Sequence, residues 1–148
     1  MQTQATFHVM PESSDEQNLL FYACVQSAHF FRQQKKVFVL AKDQAQAHQF
    51  DELLWQFDPD SFVPHNLVGE GPKQGSPVEI GWQPPRGRRQ ILINLTSTMP
   101  NFAGNYSHVI DFVPAIEADK QLARDRFRAC RQMGFLVETQ TVEQTVQK

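Results

Sequence analysis

The sequence predicts an α/β fold, a three-layer sandwich with helices on both faces of a largely parallel sheet. Three observations carry this. Short β-prone runs alternate with segments of helical periodicity. One of those runs, residues 37–41 (VFVLA), is apolar on both faces, as a strand covered on both sides must be. The 148-residue length supplies one sizeable core, whereas two would each be marginal. The expectation is therefore a single domain over residues 1–148, with 139–148 as a frayed tail.

Residues 5–10 (ATFHVM) alternate and stop at Pro11, which makes a first strand. Ser13 or Ser14 then caps a helix, with Glu16 and Gln17 three residues on as capping-box partners. Leu20, Cys24, Ala28 and Phe31 recur at threes and fours and carry that helix to about Gln34. After the strand at 37–41, Asp43 caps a second helix that runs through Trp55. Residues 61–67 (SFVPHNL) are too short and too proline-limited for a helix, and 68–77 hold three glycines and two prolines, so a loop of some length follows. Residues 78–82, 91–95 and 108–112 are short β-prone runs separated by turns. A last helix spans about 115–133, ended by Gly134 at a C-cap position, and a strand at 135–139 closes the chain. The order β-α-β-α-β-β-β-α-β is Rossmann-like.

Composition narrows the function. An apolar fraction of 41% with 20% charged residues excludes intrinsic disorder. A net charge of −2 gives no uniform positive field for direct, sequence-independent DNA binding. The N-terminus lacks a basic leader and no 18 apolar residues occur in succession, so a cytoplasmic location is expected. Cys24 and Cys130 both fall in amphipathic helices and read as buried thiols rather than a disulfide.

The chemistry of a nucleotide enzyme is missing. Gly69, Gly71 and Gly75 are followed by Pro77 and a strand instead of a helix, and the turn after the first strand, MPESSDEQ, has no glycine and three acids. None of the five histidines lies at ligand spacing from another or from a cysteine, so neither a metal nor a cofactor is expected. Asp111, near a strand end, reads as a group that satisfies backbone donors more readily than as a catalytic acid. An enzyme-like fold without enzyme-like chemistry points to a non-catalytic binding module.

Two features stand out. On the last helix Lys120, Arg124, Arg128 and Arg131 fall within about 80° of one another, a cationic stripe. Leu122, Ala123, Phe127, Ala129, Cys130 and Met133 lie on the other side, with Phe127 at the border. Arg126 and Asp119 fall inside the apolar sector, where they are placed to pair. Residues 117–131 carry five bases and three acids, so the rest of the chain is at −4. The plain reading of the stripe is a solvated helix face. The sharper one is a dock for a short acidic segment, since a guanidinium offers a planar fork to carboxylates, a chain terminus included. The second feature is the block 55–67, which places Trp55, Phe57, Phe62, Val63 and Leu67 at a helix end and loop. Core filling accounts for most of these, while Phe62 or Trp55 is available for a partner.

The motifs FDELLW, SFVPHNLVGEGP, PVEIGW, RRQILINL, VIDFVP and KQLARDRFRACRQMGF occur in that order. With them the chain resembles the chi subunit of bacterial DNA polymerase III, from about Ala5 to Phe135. The resemblance implies a non-catalytic clamp-loader subunit. It would pair with the psi subunit and bind the acidic C-terminal tail of the single-stranded DNA-binding protein, contacting DNA only indirectly. It further implies that Trp55, Val113, Lys120, Arg124 and Arg128 belong to the tail site, with Arg124 on the terminal carboxylate and Val113 lining the pocket for the last apolar side chain. Phe127 stands where family members can carry Tyr. Phe62, with Pro64, His65 and Asn66 beside it, matches the psi contact. Two rivals remain on sequence: an enzyme acting on a nucleotide or phosphoester, and direct single-strand binding through Arg86, Arg88, Arg89 and the last helix.

Overall fold

The computed structural model describes residues 2–143 apart from Pro59, Ser61, Gln74 and Arg86. Seven strands, β1 (Gln4–Val9), β2 (Val37–Leu40), β3 (His65–Leu67), β4 (Val78–Gly81), β5 (Ile91–Asn94), β6 (His108–Val113) and β7 (Leu136–Thr141), form one sheet. Their order is β3-β4-β2-β5-β6-β1-β7, and every pairing is parallel. Three helices complete the sandwich: α1 (Glu16–Arg32), α2 (Gln44–Gln56) and α3 (Glu117–Gln132). Helices α1 and α2 pack together on one face over Val37, Val39, Ile91, Ile93 and Ile110. On the other face α3 and a 3₁₀ turn (Ala103–Asn105) cover Phe7, Phe38, Leu92 and Val109. The odd-even alternation along each strand supplies the two cores, as a doubly covered parallel sheet requires.

Several elements depart from the sequence reading. His65–Leu67, expected in a loop, forms an edge strand of three residues, too few for alternation to register. The Asn66 side chain fixes the loop that follows: its oxygen accepts the Ser76 N–H at 2.8 Å and its nitrogen donates to the Leu67 carbonyl at 2.7 Å. A Cβ at Gly71 would come within 2.9 Å of the Asn66 Cβ, so this glycine serves close packing and a left-handed turn, not a phosphate. The cap of α1 is Asp15, not Ser13 or Ser14. Its carboxylate accepts the Asn18 N–H at 2.9 Å, and the Asn18 side chain accepts the Asp15 N–H at 3.0 Å. Asp43 caps α2 as expected, accepting the Gln46 N–H at 2.8 Å. Residues 139–141, expected in the frayed tail, are the last rungs of β7 against β1. Val142, also in that tail, is buried and donates its N–H to the Val9 carbonyl at 2.9 Å, while 144–148 lie outside the described residues.

Two of the histidines read as scattered share one face. His8 of β1 is buried, with its Nδ1 3.4 Å from the Tyr22 hydroxyl and its ring against Tyr22 and Phe112. Burial, helped by the charge of His108 and opposed by Glu138, lowers its pKa to about 4. The native state therefore favours neutral His8, and the contribution is whole above the unfolded value of about 6.5 and is lost as pH falls toward 4. Urea titrations should show about 2 kcal/mol less stability at pH 5 than at pH 7 from this group. His8→Phe should flatten that pH dependence, and an unchanged slope would remove His8 as its source.

Candidate protein-binding site on the third helix

Chain direction in the parallel sheet brings the end of β6 and the middle of β1 under α3. Phe7 from β1, Val113 from β6 and Ala123 from α3 floor an open cleft of about 430 Å³. Thr139 of β7 closes one side, and Lys120, Arg124, Arg128 and Arg131 form the rim. Phe127 is half-buried between floor and rim. Its ring lies 5.3 Å from that of Phe7, and the Arg131 guanidinium sits 5.1 Å from its centroid. An apolar floor under four cations suits a ligand with one apolar group and one or more carboxylates.

The rim cations are only loosely engaged. Arg124 is only distantly paired: Glu117 is 3.8 Å away, and the guanidinium donates to the Gln121 side-chain oxygen at 3.2 Å. Lys120 lies 4.0 Å from Glu117, and Arg128 lies 3.6 Å from Asp125. Exposed pairs of this length contribute little and exchange readily for an incoming carboxylate.

Arg126 belongs to a different structure beneath the helix. The expected pairing with Asp119 is not made. Instead Nε donates to both oxygens of buried Asp111, at 3.1 and 3.0 Å, while the guanidinium also donates to the carbonyls of Phe112 at 2.9 Å and Ser97 at 3.2 Å. Asp111 further accepts from the Phe112 N–H and the Asn94 amide. Burial pushes its carboxyl upward, and the Arg126 charge and these three donors act against that push. Asp111 and Val113 are two apart on β6 and face the same side, so the clamp that anchors α3 also sets the cleft floor beneath Arg124. Leu122 and Met133, expected on the apolar side, are substantially exposed.

The structure does not bring Trp55 to this cleft. Trp55 ends α2 on the opposite face of the sheet, its ring 4.4 Å from that of His65 and 5.7 Å from that of Phe62. Trp55 and Phe62 are 53% and 66% exposed, a solvent-facing aromatic pair at the β3 edge. His65 is buried beneath them, with Nδ1 2.7 Å from the Val63 carbonyl and Nε2 3.3 Å from an Asp51 oxygen. Pro64 is half-buried beside it, and Asn66 turns inward to hold the next loop. Two patches thus lie on opposite faces and toward opposite edges of the sheet. Phe7, Ala123 and Thr139 were absent from the sequence-based set. The alternation of β1 puts Phe7 on one face, but only the sheet order shows that this face lies under α3.

At the carboxyl ends of the strands, where folds of this kind hold nucleotides, a cavity of about 340 Å³ is lined by four acids, Asp15, Glu16, Asp111 and Asp119, and by two cations, Lys42 and Arg126, of which Arg126 is bound to Asp111. The helix N-termini there carry carboxylates where a phosphate would need donors.

Comparison with known proteins identifies the family and the fold. The family model described as "DNA polymerase III chi subunit, HolC" matches residues 1–138. Relatives named DNA polymerase III subunit chi include one from Escherichia coli, 42% identical over 93% of this chain and 97% of the relative. Another, from Haemophilus influenzae, is 43% identical over 81% of this chain and 85% of the relative. A third, from Pseudomonas aeruginosa, is 37% identical over 90% and 92%. Among solved structures, T4 UvsW superposes with a TM-score of 0.65 at 10% identity, over 95% of this chain and 41% of that longer one, which is a likeness of fold. On the family model matched over residues 1–138 and on these relatives, the chain belongs to the DNA polymerase III chi subunit family.

Proposed function

We propose that this DNA polymerase III subunit is a non-catalytic adaptor. Its α3 cleft takes the acidic C-terminal tail of the single-stranded DNA-binding protein, and its Trp55–Phe62 patch pairs with the psi subunit. One observation carries the reading: an apolar floor of Phe7, Val113 and Ala123 directly under Lys120, Arg124 and Arg128. A terminal apolar side chain fills the floor while its α-carboxylate meets Arg124, and upstream acids meet the remaining cations. Trp55 moves to the psi face in this proposal, because its ring contacts are with Phe62 and His65. The non-catalytic part rests on the engagement of the reactive groups: Asp111 is saturated by donors, and burial pushes the Cys130 thiol up to about 12 and that of Cys24 higher still. A cytoplasmic setting, where the replication machinery works, follows from the same reading. Among the described residues no helix is long and apolar enough to cross a membrane.

The separation of the patches makes the two partners testable apart. Phe62→Ala should lose co-purification with psi while keeping its affinity for an acidic peptide that ends in a free Phe carboxylate. Loss of both together would point to unfolding and leave the surface assignment without support. Peptide binding itself should weaken steadily as salt rises, and salt-independent binding would contradict a charged rim.

A further inference from the structure

Because every strand is parallel, the residues that precede the strands meet at one end of the sheet. Gln2 and Thr3 lead into β1, Lys36 into β2, Arg88–Gln90 into β5, and Asn105–Ser107 into β6. Together they line a pocket of about 580 Å³ that neither proposed protein contact uses. Its charge is one-sided. Segments 2–3, 34–36, 88–90 and 104–107 hold Lys35, Lys36, Arg88 and Arg89 and no acid, in a chain whose net charge is −2. Arg89 is occupied, pairing with Glu79 at 3.0 Å. Lys36 and Arg88 are exposed and, among the described residues, make no ion pair.

Two further features suit a phosphate-bearing ligand. Gln34 adopts φ 62, the left-handed turn that ends α1, where glycine is the residue of least strain. That turn closes the helix end and leaves the Gln34 amide side chain on the pocket wall. The Gln90 side-chain oxygen accepts the Lys36 N–H at 2.6 Å, so its NH₂ group is the end left to donate. A smaller cavity of about 170 Å³ shares Arg88, Arg89, Asn105 and Tyr106 with the first. It adds the ring surfaces of Pro84, Pro85 and Phe102, and the Phe102 and Tyr106 rings lie 6.4 Å apart. Of these rings Tyr106 is buried, so the partly exposed Phe102 is the one aromatic face, among the described residues of this cavity, on which a base could rest beside the cations and amides.

We infer that this end of the sheet is a weak binding site for single-stranded nucleic acid, contacted through its phosphates by Lys36 and Arg88. An acidic protein segment fits less well, since its carboxylates would use the cations but leave the Phe102 face beside Arg88 uncovered. With these two cations engaged, the affinity should fall with a log–log salt slope of about −1.4. Such a contact is feeble alone, but a tether to a DNA-coating protein raises the local strand concentration toward millimolar and makes it count.

Amide chemical shifts of the ¹⁵N-labelled chain, titrated with oligo(dT) at low salt, test this without reference to the α3 cleft. Shifts at Lys36, Arg88, Gln90 and Ser107 are expected, lost in Lys36→Glu/Arg88→Glu while that variant keeps the wild-type spectrum elsewhere. The inference is overturned if millimolar oligonucleotide leaves these amides unmoved, if shifts appear only along α3, or if a glutamate-rich peptide moves the same amides with equal affinity.

Discussion

Arg126→Met is expected to destabilise the protein by about 3–5 kcal/mol, the range for removing one partner of a buried ion pair. Asp111 is 1% exposed and would keep its charge in the core with only the Asn94 amide and the Phe112 N–H for company. The carbonyls of Ser97 and Phe112 would lose their guanidinium donor as well. For a chain of 148 residues the thermal midpoint should drop by on the order of 10 °C. The double variant Asp111→Leu/Arg126→Met should recover a large part of that loss, because it removes the stranded charge. Urea denaturation of the wild type, both single variants and the double variant measures the coupling. Additive losses would mean that the two side chains do not act as a pair. Peptide binding should weaken in Arg126→Met as well, although Arg126 does not face the cleft, since the clamp sets α3 over Val113.

Arg124→Ala should behave in the opposite way, leaving stability within about 0.5 kcal/mol of wild type and removing most of the tail affinity. Its side chain is 56% exposed and only distantly paired, so the fold loses almost nothing. A charge-assisted bond to a terminal carboxylate contributes about 1.5–3 kcal/mol, which corresponds to roughly 10- to 150-fold in affinity. Amidating the peptide terminus should produce a loss of the same size, and combining the two changes should add little, because both remove one contact. Unchanged anisotropy curves for Arg124→Ala would sink the assignment, and full additivity would place the carboxylate elsewhere on the rim.

The two variants differ because α3 carries two kinds of arginine that look alike in sequence. The four-four-three spacing marks Lys120, Arg124, Arg128 and Arg131 as one stripe, and that stripe is the cleft rim. The same spacing shows Arg126 as a charge in the apolar sector but names the wrong partner. Asp119 is near in sequence, whereas Asp111 is reached only once β6 lies beneath the helix. The cleft floor was half legible for the same reason. Val113 follows from the resemblance, while Phe7 on the floor and Thr139 at the side depend on a strand order that local patterns do not encode. β3 escaped because three residues between a proline and a glycine-rich loop offer no period to read. Trp55 shows the converse. The resemblance groups it with the tail residues, and the fold sets it beside Phe62 and His65 instead. The net charge of −2 concealed the most, since it averages a basic helix face and a basic sheet end against an acidic remainder.

The adaptor account stands on the link to DNA running through the tail. The direct measurement is the affinity of this chain for single-stranded DNA coated with the intact single-stranded DNA-binding protein, compared with DNA coated by that protein lacking its terminal residues. The account predicts binding to the first and only weak, salt-sensitive binding to the second, with Arg124→Ala on intact coating resembling the second case. Equal affinity for both coated strands, or for bare oligonucleotide, would contradict it.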